Sequence, residues 1–162
     1  MLDHAWIAAH IPHQGSMCLL DRVAEWDAQR IRCTASSHRA TDNPLRAHGR
    51  LGSSCGIEYA AQAMAVHGAL LASAQARPRA GLLASVRGTK LHVARLDDIA
   101  DDLVVEALRF SGDGNNVLYD FTVRAGGRTL LEGRTAVVMD AEAIGSSSGS
   151  QSLLQPTKRA EP

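Results

Sequence analysis

The sequence has few cysteines, no excess of charge and no long apolar run, and each absence excludes a class of protein. The three cysteines, Cys18, Cys33 and Cys55, are odd in number and lack CxxC spacing, which argues against a disulfide framework and a zinc site. Basic and acidic residues number 17 each, so the net charge of zero does not favour a nucleic-acid-binding surface. We therefore expect reduced thiols, no metal and no nucleic-acid partner.

The apolar segments are also too short for a membrane protein. None approaches the roughly 20 residues that a spanning helix needs, and the first residues do not resemble a signal peptide. We therefore expect a cytoplasmic protein with no membrane span. The length of 162 residues suits one domain. Because residues 145–152 are rich in serine and glycine, we expect a folded domain over 1–140 and a flexible, disordered tail over 141–162.

Residues 53–71 have the pattern of one buried helix around which the rest of the chain is organised. Small or apolar side chains recur at helical spacing, at Ile57, Ala60, Ala61, Met64, Gly68 and Leu71. We expect Ser53 or Ser54 to cap the first turn, and Pro78 and Gly81 to end the helical region. The many alanines leave little bulk, which suits a helix that other backbone approaches closely.

The segments on either side of this helix have strand patterns. Before it we expect a short helical lead over 2–11, a hairpin of strands over 18–26 and 30–37, and a polar loop over 37–52. After it we expect strands over 82–94, 103–110, 117–123 and 129–139, with a bulge at Gly88 and a two-residue turn at Gly126-Gly127.

This order of elements predicts an α+β fold in which a curved antiparallel sheet of roughly five to seven strands wraps around one central helix. That arrangement is the hot-dog fold. The helix is the only predicted element able to cover the apolar face of the sheet. Such a protomer leaves one sheet edge open, and dimerisation commonly closes such an edge.

Two segments resemble signature sequences of one enzyme family. Residues 12–23, which read Pro-His-Gln-Gly-Ser-Met-Cys-Leu-Leu-Asp-Arg-Val, resemble the opening box of the 3-hydroxyacyl-[acyl carrier protein] dehydratases. Residues 58–62, Glu-Tyr-Ala-Ala-Gln, resemble the Glu-Ala-Met-Ala-Gln signature on the central helix of that family. The boxes and the strand pattern agree over about residues 10–140. The likeness is closest to the dehydratase-like proteins of aryl polyene biosynthesis.

The resemblance implies dehydration of a 3-hydroxyacyl thioester, carried on the phosphopantetheine arm of acyl carrier protein, to the trans-2-enoyl thioester. The setting would be fatty acid or polyene-type biosynthesis, and no cofactor is implied. In this family a histidine takes the C2 proton, a helix acid protonates the departing hydroxyl, and backbone amides polarise the thioester carbonyl. Glu58 matches the acid, while Cys55 and Gly56 match the segment that supplies the amides. Burial on an apolar helix would help to keep the acid protonated part of the time.

The histidine of the family does not match. Family members carry a Gly-His-Phe-Pro loop farther upstream of the acid, whereas here the loop is shorter and places His48 ten residues before Glu58. Either His48 acts from a shifted position, or His13 of the first box approaches the site, or no histidine acts. Gln62, one helical turn after Glu58, either orients the carboxylate or packs within the helix interface. Glu58 itself has a simpler interpretation, as a first-turn acid stabilised by the helix dipole.

Two other functions stay open at this point. A hot-dog acyl thioesterase would use the helix carboxylate to activate water and would need no histidine. A non-catalytic partner subunit would complete the active site of a related dehydratase, which the shortened loop favours. The assembly is then a homodimer or a heterodimer with a related hot-dog subunit.

Other reactive or charged side chains have weaker signals. Cys55 lacks a base at a defined spacing and is not expected to act as a nucleophile. His67 and His92 are expected to be structural. Surface arginines that would suit a carrier protein or its phosphate are Arg46, Arg50 and Arg87.

Overall fold

The computed structural model describes residues 2–72, 82–112 and 116–138. Its helices and strands are, in chain order, α1 (His4–His10), β1 (Arg22–Trp26), β2 (Arg30–Ala35), α2 (Gly56–Leu71), β3 (Leu82–Leu91), β4 (Leu103–Gly112), β5 (Asn116–Ala125) and β6 (Arg128–Val138). Short 3₁₀ turns lie at Gly15–Met17, Ser37–Arg39 and Ser53–Cys55. The predicted helix breakers Pro78 and Gly81, and the predicted tail over 141–162, lie outside the described residues. No helix within those residues has the length and apolar character needed to cross a bilayer.

The strands of the described residues form one antiparallel sheet in the order β1-β2-β4-β5-β6-β3. Helix α2 packs against the inner strands β2, β4 and β5. Along β5, buried residues alternate with more exposed ones, as expected for a strand with one face on the core. The predicted arrangement of a curved antiparallel sheet around one helix is therefore confirmed.

Helix α2 begins in very close contact with the sheet. A Cβ added to Gly56 would lie 2.5 Å from a terminal methyl carbon of the buried Leu131 on β6, so glycine allows this approach. The predicted serine cap is wrong. Ser53 and Ser54 lie in a 3₁₀ turn, and Cys55 at the cap position makes no side-chain cap hydrogen bond. Backbone carbonyls of the 3₁₀ turn accept the Gly56 N–H instead.

The first strand is shorter than predicted. It begins at Arg22 rather than Cys18 because Leu19, within the predicted strand, bonds to side chains instead of to a neighbouring strand. The Leu19 N–H donates to Gln62 Oε1 at 2.8 Å, and the Leu19 carbonyl accepts from Ser37 Oγ at 2.7 Å. This segment therefore packs onto α2 and becomes part of the candidate site.

The predicted bulge and tight turn are both confirmed. Gly88 has φ +59°, and the β3–β6 register shifts between Arg87 and Lys90. Gly126 and Gly127 have φ +54° and +76°, as a two-residue turn of type I′ between β5 and β6 requires.

His67 is fully buried on α2 and links three parts of the fold. Its Nε2 lies 2.8 Å from the Asp27 carbonyl oxygen, and its Nδ1 lies 3.0 Å from the Tyr119 hydroxyl. Because a carbonyl oxygen can only accept, Nε2 carries the proton and Nδ1 accepts from Tyr119. Burial lowers the pKa of His67 and raises the pKa of Tyr119 to about 12. These contacts match the structural role expected for His67.

We expect the protein to lose stability as the pH falls below about 6.5, where histidines of the unfolded chain become protonated. In the folded state, burial lowers the pKa of His67 and of the fully buried His38, so the unfolded state binds more protons. In His67→Gln, the decline in the free energy of unfolding between pH 7 and pH 5 should be shallower, by at most about 1.4 kcal/mol per pH unit. Urea denaturation at a series of pH values measures this slope, and an unchanged slope would contradict the assignment.

Candidate functional site

Glu58 lies in the first turn of α2 and faces His13, which lies in the loop after α1. The His13 Nε2 and Glu58 Oε1 atoms are 3.0 Å apart. The two side chains are 26% and 31% exposed, so they are partly shielded from water yet within reach of a ligand. The structure thus brings together the predicted acid and one of the two candidate histidines.

Gln62 lies one turn after Glu58 and is fully buried. Its Nε2 donates to Glu58 Oε1 at 3.0 Å and to the Met17 carbonyl at 2.7 Å, while its Oε1 accepts the Leu19 N–H at 2.8 Å. One amide therefore joins the helix, the acid and the first sequence box. The hydrogen bond to Glu58 is one that an orienting residue would make, and the orienting role of Gln62 stays a prediction.

The loop that carries His13 is fixed at both ends. The Gln14 Nε2 donates to the Ala8 carbonyl of α1 at 3.0 Å. After Gln14 the chain enters the 3₁₀ turn Gly15–Met17, in which Gly15 has φ +57°. Gln14 and Met17, which follow His13, are thus tied to α1 and to α2, respectively.

His48 occupies a different position, at the tip of a two-residue turn. His48 and Gly49 have φ +51° and +74°, and Ala47 and Arg50 exchange backbone hydrogen bonds of 2.9 and 3.0 Å. The His48 side chain is exposed. Within the described residues, the imidazole that contacts Glu58 belongs to His13.

The backbone amides expected to polarise a carbonyl already have acceptors within the chain. The Cys55 N–H donates to the Gly52 carbonyl at 3.0 Å. The Gly56 N–H is directed at the carbonyls of Ser53 and Ser54. A role for these amides in substrate binding stays a prediction, and it would require each N–H to be shared with the substrate.

The thiol of Cys55 is poorly suited to nucleophilic attack. Its Sγ lies 3.7 Å from the Leu45 carbonyl oxygen. Burial raises its pKa, whereas a nucleophilic cysteine needs a stabilised thiolate. The expectation that Cys55 does not act as a nucleophile stays a prediction.

Asp97, which the sequence pattern did not single out, fixes the segment that leads into α2. Its carboxylate is 4% exposed, accepts the Leu51 N–H at 2.8 Å and is bonded by Arg95. Arg95 holds the pKa of Asp97 well below its usual range. The Leu96 N–H also donates to the Leu51 carbonyl at 2.8 Å. The charged run 95–98 was the only sequence signal, and it does not reveal which aspartate is buried.

Arg46 also belongs to this lead-in segment rather than to an open surface. Its side chain is 14% exposed and donates to the Ala40 carbonyl at 2.7 Å and the Gly49 carbonyl at 3.0 Å. The suggestion that Arg46 contacts a carrier protein is therefore not favoured. Arg50 and Arg87 are exposed.

Tyr59, next to the acid, ties α2 to the polar loop and was also missed. Its buried hydroxyl lies 2.9 Å from Ser37 Oγ and accepts from Asn43 Nδ2 at 3.0 Å. The family signature has alanine at this position, so no motif could have suggested the contact.

An open cleft on the sheet lies apart from these residues. Residues of β3, β5 and β6 line it, among them Arg87, Lys90, Asp120, Glu132 and Arg134. Arg87, which the sequence analysis named as a possible carrier-protein contact, lines this cleft. The predicted site residues Glu58, His13, His48, Cys55, Gly56 and Gln62 do not.

The chain matches the family model described as ApeP-like, ApeP dehydratase, over residues 5–146. A comparison with curated protein sequences finds no match. Among solved structures, a chain of the dehydratase heterocomplex ApeI:P from Xenorhabdus doucetiae is similar with TM-score 0.73 and 18% identity, over 89% of this chain and 97% of that one. Zebrafish thioesterase superfamily member 2 is similar with TM-score 0.59 and 12% identity, over 85% and 95% of the two chains. A mutant thioesterase from Pseudomonas aeruginosa is similar with TM-score 0.54 and 13% identity, over 72% of this chain and 78% of that one. These likenesses confirm the hot-dog fold.

We expect Asp97→Asn to destabilise the protein by about 1–3 kcal/mol, since it weakens the bond to Leu51 and removes the charge that faces Arg95 in a buried position. The matched control is Asp98→Asn, because Asp98 is 55% exposed and lies 3.6 Å from the same arginine. The control should change the free energy of unfolding by less than about 0.5 kcal/mol. Urea denaturation measures both variants, and equal effects would contradict a special role for Asp97.

Proposed function

The chain belongs to the ApeP-like dehydratase family, and from this premise we propose that it dehydrates 3-hydroxyacyl thioesters to trans-2-enoyl thioesters. The proposed substrate is held on the phosphopantetheine arm of acyl carrier protein, in fatty acid or aryl polyene biosynthesis in the cytoplasm. The observation that supports the proposal most is the 3.0 Å contact between His13 and Glu58 in a partly shielded position.

The reaction needs groups that move protons at two adjacent carbons. A proton leaves C2, the C3–O bond breaks, and the hydroxyl takes up a proton and leaves as water. A carboxyl group in contact with an imidazole can provide such proton transfers. The positive end of the α2 dipole lies at Gly56, close to Glu58, and favours negative charge that develops on the thioester oxygen.

We assign the imidazole of the site to His13. His13 contacts Glu58 directly, whereas His48 lies exposed at a turn. The first sequence box would thereby supply the histidine that the shortened second loop does not. Gln62 would orient the acid, and the segment of Cys55 and Gly56 would face the thioester.

We expect Glu58→Gln to lower the rate of dehydration by about 100-fold or more, because the amide cannot exchange a proton as a carboxyl group does. The substitution keeps the shape of the side chain and an oxygen that accepts from Gln62 and His13. Mass spectrometry of a 3-hydroxyacyl carrier protein before and after incubation measures formation of the enoyl product.

Glu132→Gln provides a matched control, since Glu132 lies on β6 and contacts Lys90 and His92 at the surface. It should leave the rate within about threefold of the wild type. Full activity of Glu58→Gln would contradict the proposal. Release of free thiol in place of enoyl product would favour a thioesterase, and activity only after addition of a related dehydratase would favour a partner subunit.

We further propose that the chain assembles with a second hot-dog subunit through the free edge of β3. The two edge strands differ in how they are covered. The β1 edge is short and partly closed by the N-terminal segment, because the Val23 N–H donates to the Leu2 carbonyl and Asp3 bridges Arg22. The β3 edge has ten residues and no further strand beside it within the described parts of the chain.

The side chains near the β3 edge also suit a partner. Leu83 and Val86 are half-buried, and Leu91 is 49% exposed. A strand with one unpaired edge and exposed apolar residues favours pairing with another chain. The subunit is either a second copy or a related chain, and the structural relative from a heterocomplex makes the second choice reasonable.

We expect Ala84→Lys to weaken this association by about tenfold or more, because a charged side chain on an edge strand opposes pairing. Ala84 is exposed and lies at the β3 register shift between Leu83 and Ser85. The control is Ala24→Lys, at the equivalent shift in β1. Sedimentation of the 17.2 kDa chain, alone and with a related subunit, measures the assembly. Loss of association in the control alone would place the interface at β1.

A further inference from the structure

The orientation of the Gln62 amide determines which group it presents to Glu58. The Leu19 N–H needs an acceptor and the Met17 carbonyl needs a donor, and these contacts are 2.8 and 2.7 Å long. The amide oxygen must therefore face Leu19, and the amide nitrogen must face Met17. The second hydrogen of that nitrogen is left to point at Glu58 Oε1, at 3.0 Å.

The tautomer of His13 follows from the surroundings of its other nitrogen. Nδ1 is buried and has no hydrogen-bond partner in the described part of the chain. A proton on Nδ1 would be an unpaired buried donor, which is rare in proteins. The proton of the neutral ring therefore lies on Nε2, which donates to Glu58 Oε1 at 3.0 Å.

The two oxygens of Glu58 are consequently different. Oε1 accepts two N–H groups, one from His13 and one from Gln62. Oε2 has no hydrogen bond to any of the described residues. Because Oε1 already accepts two N–H groups, Oε2 is the oxygen of Glu58 whose lone pairs are left to take up a proton.

We infer that Glu58 Oε2 alone performs both proton transfers of the proposed dehydration. Its lone pair takes the C2 proton, and the electrons of that C–H bond form the C2–C3 double bond as the C3–O bond breaks. The proton on Oε2 then passes to the departing hydroxyl, which leaves as water, and Glu58 returns to its ionised form. His13 is a positioning residue that holds Oε1. This inference rests on the proposed function.

The alternative gives proton removal to His13 and the protonation of the hydroxyl to Glu58. In this structure the Nε2 of His13 is occupied by Glu58, and its Nδ1 is inaccessible. Neither nitrogen presents a free lone pair to a ligand. Glu58 Oε2, which makes no hydrogen bond to the described residues and belongs to a side chain that is 31% exposed, does present one.

The test compares His13→Gln and Glu58→Gln on one substrate, a 3-hydroxyoctanoyl carrier protein, with purified full-length chain. Glutamine at 13 keeps an N–H group able to reach Oε1, so His13→Gln should lose less than about tenfold in kcat/KM. Glu58→Gln should lose at least about 100-fold. His92→Gln is the control, since His92 is 43% exposed and lies 3.4 Å from Glu132, another histidine–glutamate contact.

The pH profile provides a second readout that a purely structural effect would not change. A single carboxylate base predicts that kcat/KM rises with pH to a plateau, in the wild type and in His13→Gln alike. A histidine base with a carboxylic acid predicts a bell-shaped wild-type profile. If His13→Gln does not fold, as judged by circular dichroism, His13→Asn replaces it in both measurements.

The outcomes separate this inference from the proposed function. If the wild type forms no enoyl product, the proposed function fails and the inference fails with it. If the wild type dehydrates but His13→Gln is as inactive as Glu58→Gln, or if the wild-type profile is bell-shaped, the function stands and the single-carboxylate assignment is overturned. A small loss in His13→Gln with an unchanged profile supports it.

Discussion

The hydrogen bonds of Gln62 are the interaction on which the candidate site depends. This fully buried amide accepts from Leu19, donates to Met17 and donates to Glu58. It holds Met17 and Leu19, in the part of the first sequence box that precedes β1, on helix α2. Together with the bond from Gln14 to Ala8, that attachment fixes the position of the His13 loop relative to the acid. The site is therefore a consequence of how a loop is docked on a helix.

The helix and most strands could be predicted from the sequence because each depends on a local pattern of residues. Helical spacing placed Glu58 and Gln62 one turn apart on α2, and glycine patterns placed the bulge at Gly88 and the turn at Gly126. The serine cap failed for a physical reason. A 3₁₀ turn supplies backbone carbonyls to the Gly56 N–H, so no side-chain cap is present.

The contact between His13 and Glu58 could not be predicted from local sequence patterns. The two residues are 45 positions apart, and their meeting depends on the 3₁₀ turn after His13 and on the Gln62 bonds. Sequence reasoning therefore left His13 and His48 as alternatives. Asp97 was missed for the same reason, since its burial against Leu51 joins segments that are distant in the chain.

The family, the fold and the site geometry support one another. The family model covers residues 5–146 and includes both sequence boxes. The fold places those boxes side by side, so that His13 and Gln62 both contact Glu58. A dehydratase with its histidine in the first box would explain how the chain retains an acid–imidazole pair despite its shortened second loop.

The most direct measurement is a crystal structure of the protein with a stable substrate analogue, a 3-hydroxyacyl pantetheine in which an amide replaces the thioester. The account predicts that Glu58 Oε2 lies about 3 Å from the C3 hydroxyl, while Oε1 keeps its contacts with His13 and Gln62. An analogue bound elsewhere, or a Glu58 side chain directed into bulk water without contact to His13, would contradict it.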